Sequence, residues 1–313
     1  MKELHNIVAT TDLSENAATA LPVAIALARQ HKANLHLVYV EELPPVYPTD
    51  ASTTLPQVDW LIAARKEREQ TVLKQAAEIA RRESITVVAH FEEGVPAKKI
   101  TEKARDLQAD CIVMCSHGRS GFSRILFGSV TEEVLRNSPC PVLCLRGQSA
   151  SNDFGVKPVI VTTDLSNESL EAMPYAIALA EQQGAPLHVL LVLEDQLQIP
   201  DDLVHPQVDL LVNEHQEMEQ RLSAFTLKLR EQKNVEIMPH VLHGYPVESI
   251  IKLAGKVGAG CIVIASHGRS GFRRIVVGSV AEEVIRHSTC PVLAIRNGIN
   301  KKLKSSACQK WSM

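Results

Sequence analysis

Two segments of this 313-residue chain carry the residue types that phosphate binding needs. SHGRSGFSRILFGSV at 116–130 returns as SHGRSGFRRIVVGSV at 266–280. Gly118 and Gly121 permit a tight turn and a close backbone approach to a ligand. Gly128 and Ser129 open a helix, whose free N–H groups and positive dipole end suit an anion. Arg119 and Arg124 add positive charge, and the Ser129 hydroxyl can cap the helix or bond a phosphate oxygen. The second copy repeats the pattern with Gly268, Arg269, Gly278 and Ser279. The plain alternative is a pair of turn glycines and a capping serine. Because the same loop stands in both copies with its spacing intact, the phosphate cradle is the better reading.

Other constellations carry less. Asp12, at the end of a first strand and before Leu13-Ser14, fits an N-cap or Asx-turn role, and it also fits contact with a nucleotide or Mg²⁺; the two roles can coexist. His117 and His267 precede the glycines and could act as general bases, but no nucleophile with a fixed carboxylate partner accompanies them, so a structural or ligand-contacting role fits better. Cys111, Cys115, Cys140 and Cys144 look like a metal set, yet the second copy keeps only Cys261 and Cys290. At ~3.3 Å per strand residue, Cys111 and Cys115 stand ~13 Å apart, too far to share one zinc. GKVGAG at 255–260 precedes a strand where a dinucleotide fingerprint must follow one, and no P-loop segment is present. No catalytic residue and no metal ligand is assigned.

The elements that must position these loops come in duplicate. ATTDLS at 9–14 recurs as VTTDLS at 161–166, AIALA at 24–28 recurs at 176–180, and PQVD at 56–59 recurs at 206–209. The chain is a tandem duplication, with domains expected at 1–150 and 151–298, a junction near Ser149 to Val156, and a basic tail over 299–313. In each copy strands alternate with helices: HNIVATT, an Ala-rich helix from Glu15 capped by Ser14, NLHLVYV, a proline-bearing loop to about Thr54, a long helix over about 58–82, SITVVAHF, a helix over 96–107, CIVMCS, a helix over 129–137, and CPVLCLR. That alternation predicts an α/β fold: two doubly wound domains, each a five-stranded parallel sheet flanked by helices. The continuous apolar strands imply helices on both sheet faces, and ligands in such folds sit at the carboxyl ends of the strands. The proline that opens each final strand suits a sheet edge.

Composition narrows the function. The chain is 45% hydrophobic but 4% aromatic, with a net charge of −3, so neither base-stacking platforms nor a basic nucleic-acid surface is expected. The lysines of the tail (Lys301, Lys302, Lys304, Lys310) read as a solvated end. The apolar run near the start is too short for a signal peptide, and no stretch reaches a membrane span. A cytoplasmic protein with reduced thiols is the expectation.

These segments resemble the universal stress protein family over about residues 3–147 and 156–297. The family's nucleotide motif runs Gly, two residues, Gly, nine residues, then Gly with Ser or Thr; Gly118 with Gly128-Ser129, and Gly268 with Gly278-Ser279, fit it. The motif's first glycine is Cys115 here and Ala265 in the second copy. The resemblance implies that Thr11 and Asp12, and Thr163 and Asp164, lie beside the adenine and ribose or metal side. It implies that Val40 and Val192 meet the base through their backbone. Gly118, Arg119, Gly128, Ser129, Val130 and Thr131 would surround ribose and phosphates, as would Gly268, Arg269, Gly278, Ser279 and Val280, with Ala281 in place of Thr131. His117 and His267 sit within the same loops. The implied ligand is ATP or a related adenine nucleotide, with Mg²⁺ as a possible companion. The implied role is sensing or signalling under stress, not efficient catalysis. A slow nucleotide hydrolase of the same fold and a scaffold with decayed sites are the alternatives. Family members pair across the final strand, which implies a pseudo-dimer of the two halves and allows a homodimer.

Overall fold

A computed structural model of the chain describes residues 4–42, 56–116, 128–146, 156–194, 206–266, 278–296 and 298. The chain divides into two compact units, one covering Glu3–Asn152 and the other drawing mainly on Asp153–Met313. In the first unit the order is β1 (Asn6–Thr11), α1 (Glu15–Ala18), α2 (Leu21–His31), β2 (Asn34–Glu41), α3 (Pro56–Glu83), β3 (Val87–Glu93), α4 (Pro96–Asp106), β4 (Cys111–Cys115), α5 (Ser129–Asn137) and β5 (Val142–Leu145). The second unit repeats it as β6 (Val159–Thr162), α6 (Asn167–Leu170), α7 (Met173–Gln183), β7 (Leu187–Leu193), α8 (Pro206–Gln232), β8 (Ile237–His243), α9 (Pro246–Val257), β9 (Cys261–Ala265), α10 (Ser279–His287) and β10 (Val292–Ile295).

Strands run parallel in the order β3-β2-β1-β4-β5 in one unit and β8-β7-β6-β9-β10 in the other. The strand order reverses direction between β1 and β4, and between β6 and β9, which makes the carboxyl edge at those strands the natural ligand crevice. The α/β reading is thus what the chain adopts. Its core is aliphatic: Ile7, Leu35, Leu37, Ile112 and Leu145 are fully buried, as are Ile160, Leu187 and Leu190.

The long Ala-rich helix expected from Glu15 is instead two pieces in each unit. Pro22 and Pro174 have no N–H to give the preceding turn, so each begins a new helix in its first turn, after Ala20 and Ala172. The third strand also departs from the fully covered reading: β3 holds intermediate or exposed positions throughout, with Val88 40% exposed. It is the outermost strand beside β2 and has α3 and α4 against it only in part. GKVGAG runs from the end of α9 through Gly258, at φ +64, into β9; a Cβ on Gly260 would stand 2.6 Å from that of Lys157. These glycines serve chain reversal and packing.

One polar pair recurs inside the sheet. His36 Nδ1 and His90 Nε2 share a hydrogen bond at 3.0 Å across β2 and β3, and His188 Nδ1 and His240 Nε2 share one at 2.7 Å across β7 and β8. Burial, the largest cause, lowers the pKa of all four, with help from the partner imidazole at His36 and His188 and from Lys103 and Lys256 at His90 and His240. Glu92 and Glu236 pull the other way.

Candidate nucleotide-binding site

Each first strand ends in a turn built by its own side chains. Thr11 Oγ1 accepts from the Leu13 N–H at 3.0 Å, and Asp12 Oδ1 accepts from the N–H and the hydroxyl of Ser14 at 3.0 and 2.5 Å. Ser14 then caps α1 by accepting from the Ala17 N–H. In the second unit the Leu165 N–H reaches Thr163 Oγ1 at 2.9 Å, and Ser166 meets Asp164 Oδ1 at the same 3.0 and 2.5 Å. Leu13 and Leu165 adopt φ of 64° and 61°, a left-handed conformation that costs a non-glycine residue about 1–2 kcal/mol. Each aspartate is therefore an Asx-turn residue whose Oδ1 accepts from the following serine. Ser169, where the first unit has Ala17, adds a hydroxyl 2.9 Å from Thr163 Oγ1.

The fourth strand and the following helix meet at the second predicted place. The N–H of Gly128 donates to the Ser116 carbonyl at 3.2 Å, and that of Gly278 to the Ser266 carbonyl at 2.7 Å. A Cβ on Gly128 would lie 2.8 Å from that Ser116 oxygen, so only glycine lets the two backbones approach. Neither Gly128 nor Gly278 supplies a capping side chain, so α5 and α10 open without one. Ser129 and Ser279 are exposed first residues of those helices. Thr131 is buried and donates its hydroxyl to the Cys115 carbonyl at 3.4 Å. His117, Gly118, Arg119, His267, Gly268 and Arg269 lie outside the described residues.

In the second unit these parts surround one cavity of about 690 Å³, within the range of small-molecule sites. Thr163 and Asp164 from the end of β6, Ala265 from β9, and Gly278, Ser279 and Val280 at the start of α10 line it, with Val192 of β7 opposite. Every described site residue expected in the second copy is brought together there. Others were not anticipated: Ser169, Leu191, Leu193 and Glu194, Pro246 and Ile250 of α9, and His215, Glu217, Met218 and Arg221 of α8. The spacing of His215, Met218 and Arg221 by three residues puts them on one helix face, a signal that pointed to a facing wall without saying which wall.

The matching wall of the first unit carries different side chains, which bond to one another. Arg68 Nε and Nη2 donate to the two carboxylate oxygens of Glu41 at 2.7 and 2.6 Å, and the Tyr39 hydroxyl donates to Glu41 at 2.8 Å. The bond to Glu41 raises the pKa of Arg68 above its ordinary value. Tyr39 stacks on Phe91 with ring centroids 5.1 Å apart, and the Arg65 guanidinium lies over Phe91 while pairing with Glu93.

All six described cysteines are free thiols. Burial pushes Cys140 up to about 12 and raises Cys144, Cys261 and Cys290 as well, so they are protonated core groups. Among the described residues no cluster of three or more metal-capable side chains exists, and no helix is long and apolar enough to cross a membrane.

The model of the universal stress protein family matches the chain twice, over residues 3–146 and 155–296. The chain belongs to the universal stress protein family. A universal stress protein of Methanocaldococcus jannaschii is 35% identical over 140 residues, covering 45% of this chain and 81% of that protein. A tandem relative from Mycolicibacterium smegmatis is 24% identical over 299 residues, 93% of this chain and 97% of its own. The crystal structure of a universal stress protein from Archaeoglobus fulgidus superposes with a TM-score of 0.68 at 26% identity, covering 95% of this chain and all of that one. A universal stress protein structure from Pseudomonas aeruginosa, at 17% identity and TM-score 0.64 over 94% of this chain and 93% of its own, agrees in fold.

Proposed function

We propose that this universal stress protein binds ATP or a related adenine nucleotide and works as a stress-response binding module whose partners read the bound state. The observation that carries the reading is the cavity at the carboxyl edge of β6, β7 and β9, into which α10 opens at Gly278. Leu191, Leu193 and Met218 offer an apolar slot for the flat face of a base, and the backbone of Val192 offers polar groups to its edge. Asp164 places a carboxylate in the cavity lining, where ribose hydroxyls can donate to it. The start of α10 suits a phosphate through its N–H groups, its dipole and the Ser279 hydroxyl. No general base paired with a nucleophile lines the cavity among the described residues, which favours binding over catalysis.

The test is to release small molecules from the purified chain by heat, identify them, and then follow both ATP affinity and product. Retained ATP or ADP, or saturable ATP binding with turnover far below ~1 s⁻¹, supports the module. Turnover at ordinary enzyme rates would establish the hydrolase reading instead. ATP at about 100 times its dissociation constant stabilises by about 2.7 kcal/mol, so the absence of any thermal shift at saturating ATP would favour the scaffold.

A further inference from the structure

The two repeats align through their strands and through PQVD, so residues of one wall can be matched one by one. Tyr39 and Glu41 of β2 stand where Leu191 and Leu193 stand on β7, and Arg68 of α3 stands where Met218 stands on α8. In the second unit these three residues are apolar and line the cavity. In the first they form one connected cluster, in which a two-pronged ion pair ties the long helix to the strand end.

From this difference we infer that the chain takes one nucleotide, held by the second repeat, and that the matching seat in the first is closed by Glu41 and Arg68. The inference rests on the nucleotide reading of the cavity given above. Its physical basis is the contrast in what a base must displace. Against Leu191, Leu193 and Met218 an adenine face meets apolar groups, and the unbranched Met218 can adjust to it. Against the first wall it must strip solvent from, or part, a charged pair whose side chains are only 17% and 29% exposed. Two-pronged guanidinium–carboxylate pairs are among the stronger polar contacts, and separating one without a new partner leaves a charge uncompensated. Arg65 over Phe91, and Phe91 against Tyr39, continue the closure outward across β3. The second unit has His215 and Val241 at the places of Arg65 and Phe91.

Calorimetric titration of the full chain with ATP tests this. The expected result is one site per chain, with Ser279→Glu abolishing all binding, because a carboxylate at the head of α10 repels phosphate yet suits the helix dipole and leaves the fold intact. Copying the second wall into the first, with Glu41→Leu and Arg68→Met together, is expected to raise the stoichiometry from one to two. Copying the cluster into the second wall, with Leu193→Glu and Met218→Arg, is expected to lower the affinity at least tenfold. Two sites in the unaltered chain, or half of the binding surviving Ser279→Glu, would overturn the inference while leaving the nucleotide reading standing. No ATP binding in either the unaltered or the Glu41→Leu, Arg68→Met chain would defeat both. Should the latter chain fail to fold, the Ser279→Glu titration decides alone.

Discussion

The turn after the first strand and the corner beneath the long helix have had different histories in the two repeats. Thr11-Asp12-Leu13-Ser14 and Thr163-Asp164-Leu165-Ser166 make the same three hydrogen bonds at nearly the same lengths around the same left-handed leucine. At the end of the second strand and on the long helix after it, one repeat has an ion pair and an aromatic stack where the other has leucines and a methionine. The first feature is fixed by backbone needs, since changing any member of the turn removes a partner that the chain direction depends on. The second is a wall whose members reach it from a helix and a strand, and such a wall tolerates exchange as a set. Duplication here preserves the frame and lets the lining diverge.

The largest effect should come from breaking that set singly. Glu41→Leu removes both acceptors of the Arg68 guanidinium and is expected to cost about 2 kcal/mol, the scale of hydrogen bonds to a charged group. Adding Arg68→Met should recover most of it, as the apolar wall of the second repeat does without either charge. Urea unfolding of the two single variants and the double measures the coupling; simple additivity would mean that the cluster does not act as a set.

A smaller effect, of opposite sign in the two units, is expected after α4 and α9. Gln108 holds φ +49, and its counterpart Gly258 holds φ +64 in open space. Gln108→Gly should stabilise by about 1 kcal/mol and Gly258→Gln should destabilise by about the same, from the left-handed penalty on a side chain. Thermal unfolding of both variants checks it, and equal signs would refute the matched geometry.

The smallest effect should be shared by both units. The paired histidines have folded pKa values below the ordinary 6.5. Between those values and 6.5 the unfolded chain therefore binds more protons than the folded one. Stability should be level above about pH 6.5 and should fall as pH drops from 6.5 through the folded values. Urea midpoints followed from about pH 7.5 to 5.5 test the sign. His36→Gln or His188→Gln should each flatten the dependence; a steeper loss in either variant would contradict the assignment.

Much of the frame was legible from residue patterns. The strand and helix alternation, the Ser14 cap and the limits of α5 follow from apolar periodicity and terminal residues, which act over a few positions. Pro22 and Pro174 mark the break between the first two helices, a local signal that the alanine-rich flanks obscure. The outermost place of β3 left its faces half open, a consequence of sheet order that a local apolar run does not reveal. For the candidate site, motif spacing marks Asp164, Ser279 and their neighbours, and the fold brings them to the lining of one cavity. Glu41 and Arg68 are 27 residues apart, and His36 and His90 are 54 apart. Such pairs exist only once helix and strand are laid together, and no spacing rule joins them.

The leucine-centred turn has a consequence for how the cavity receives a guest. A loop that freezes only on contact subtracts its lost freedom from the affinity, whereas one already held contributes its full interaction. Asp164 is held before any ligand arrives by Ser166 and by a backbone bend that leucine adopts only under constraint. On the nucleotide reading proposed above, that rim of the cavity would act as a fixed template, and adjustment to different guests would fall to the long side chains of α8.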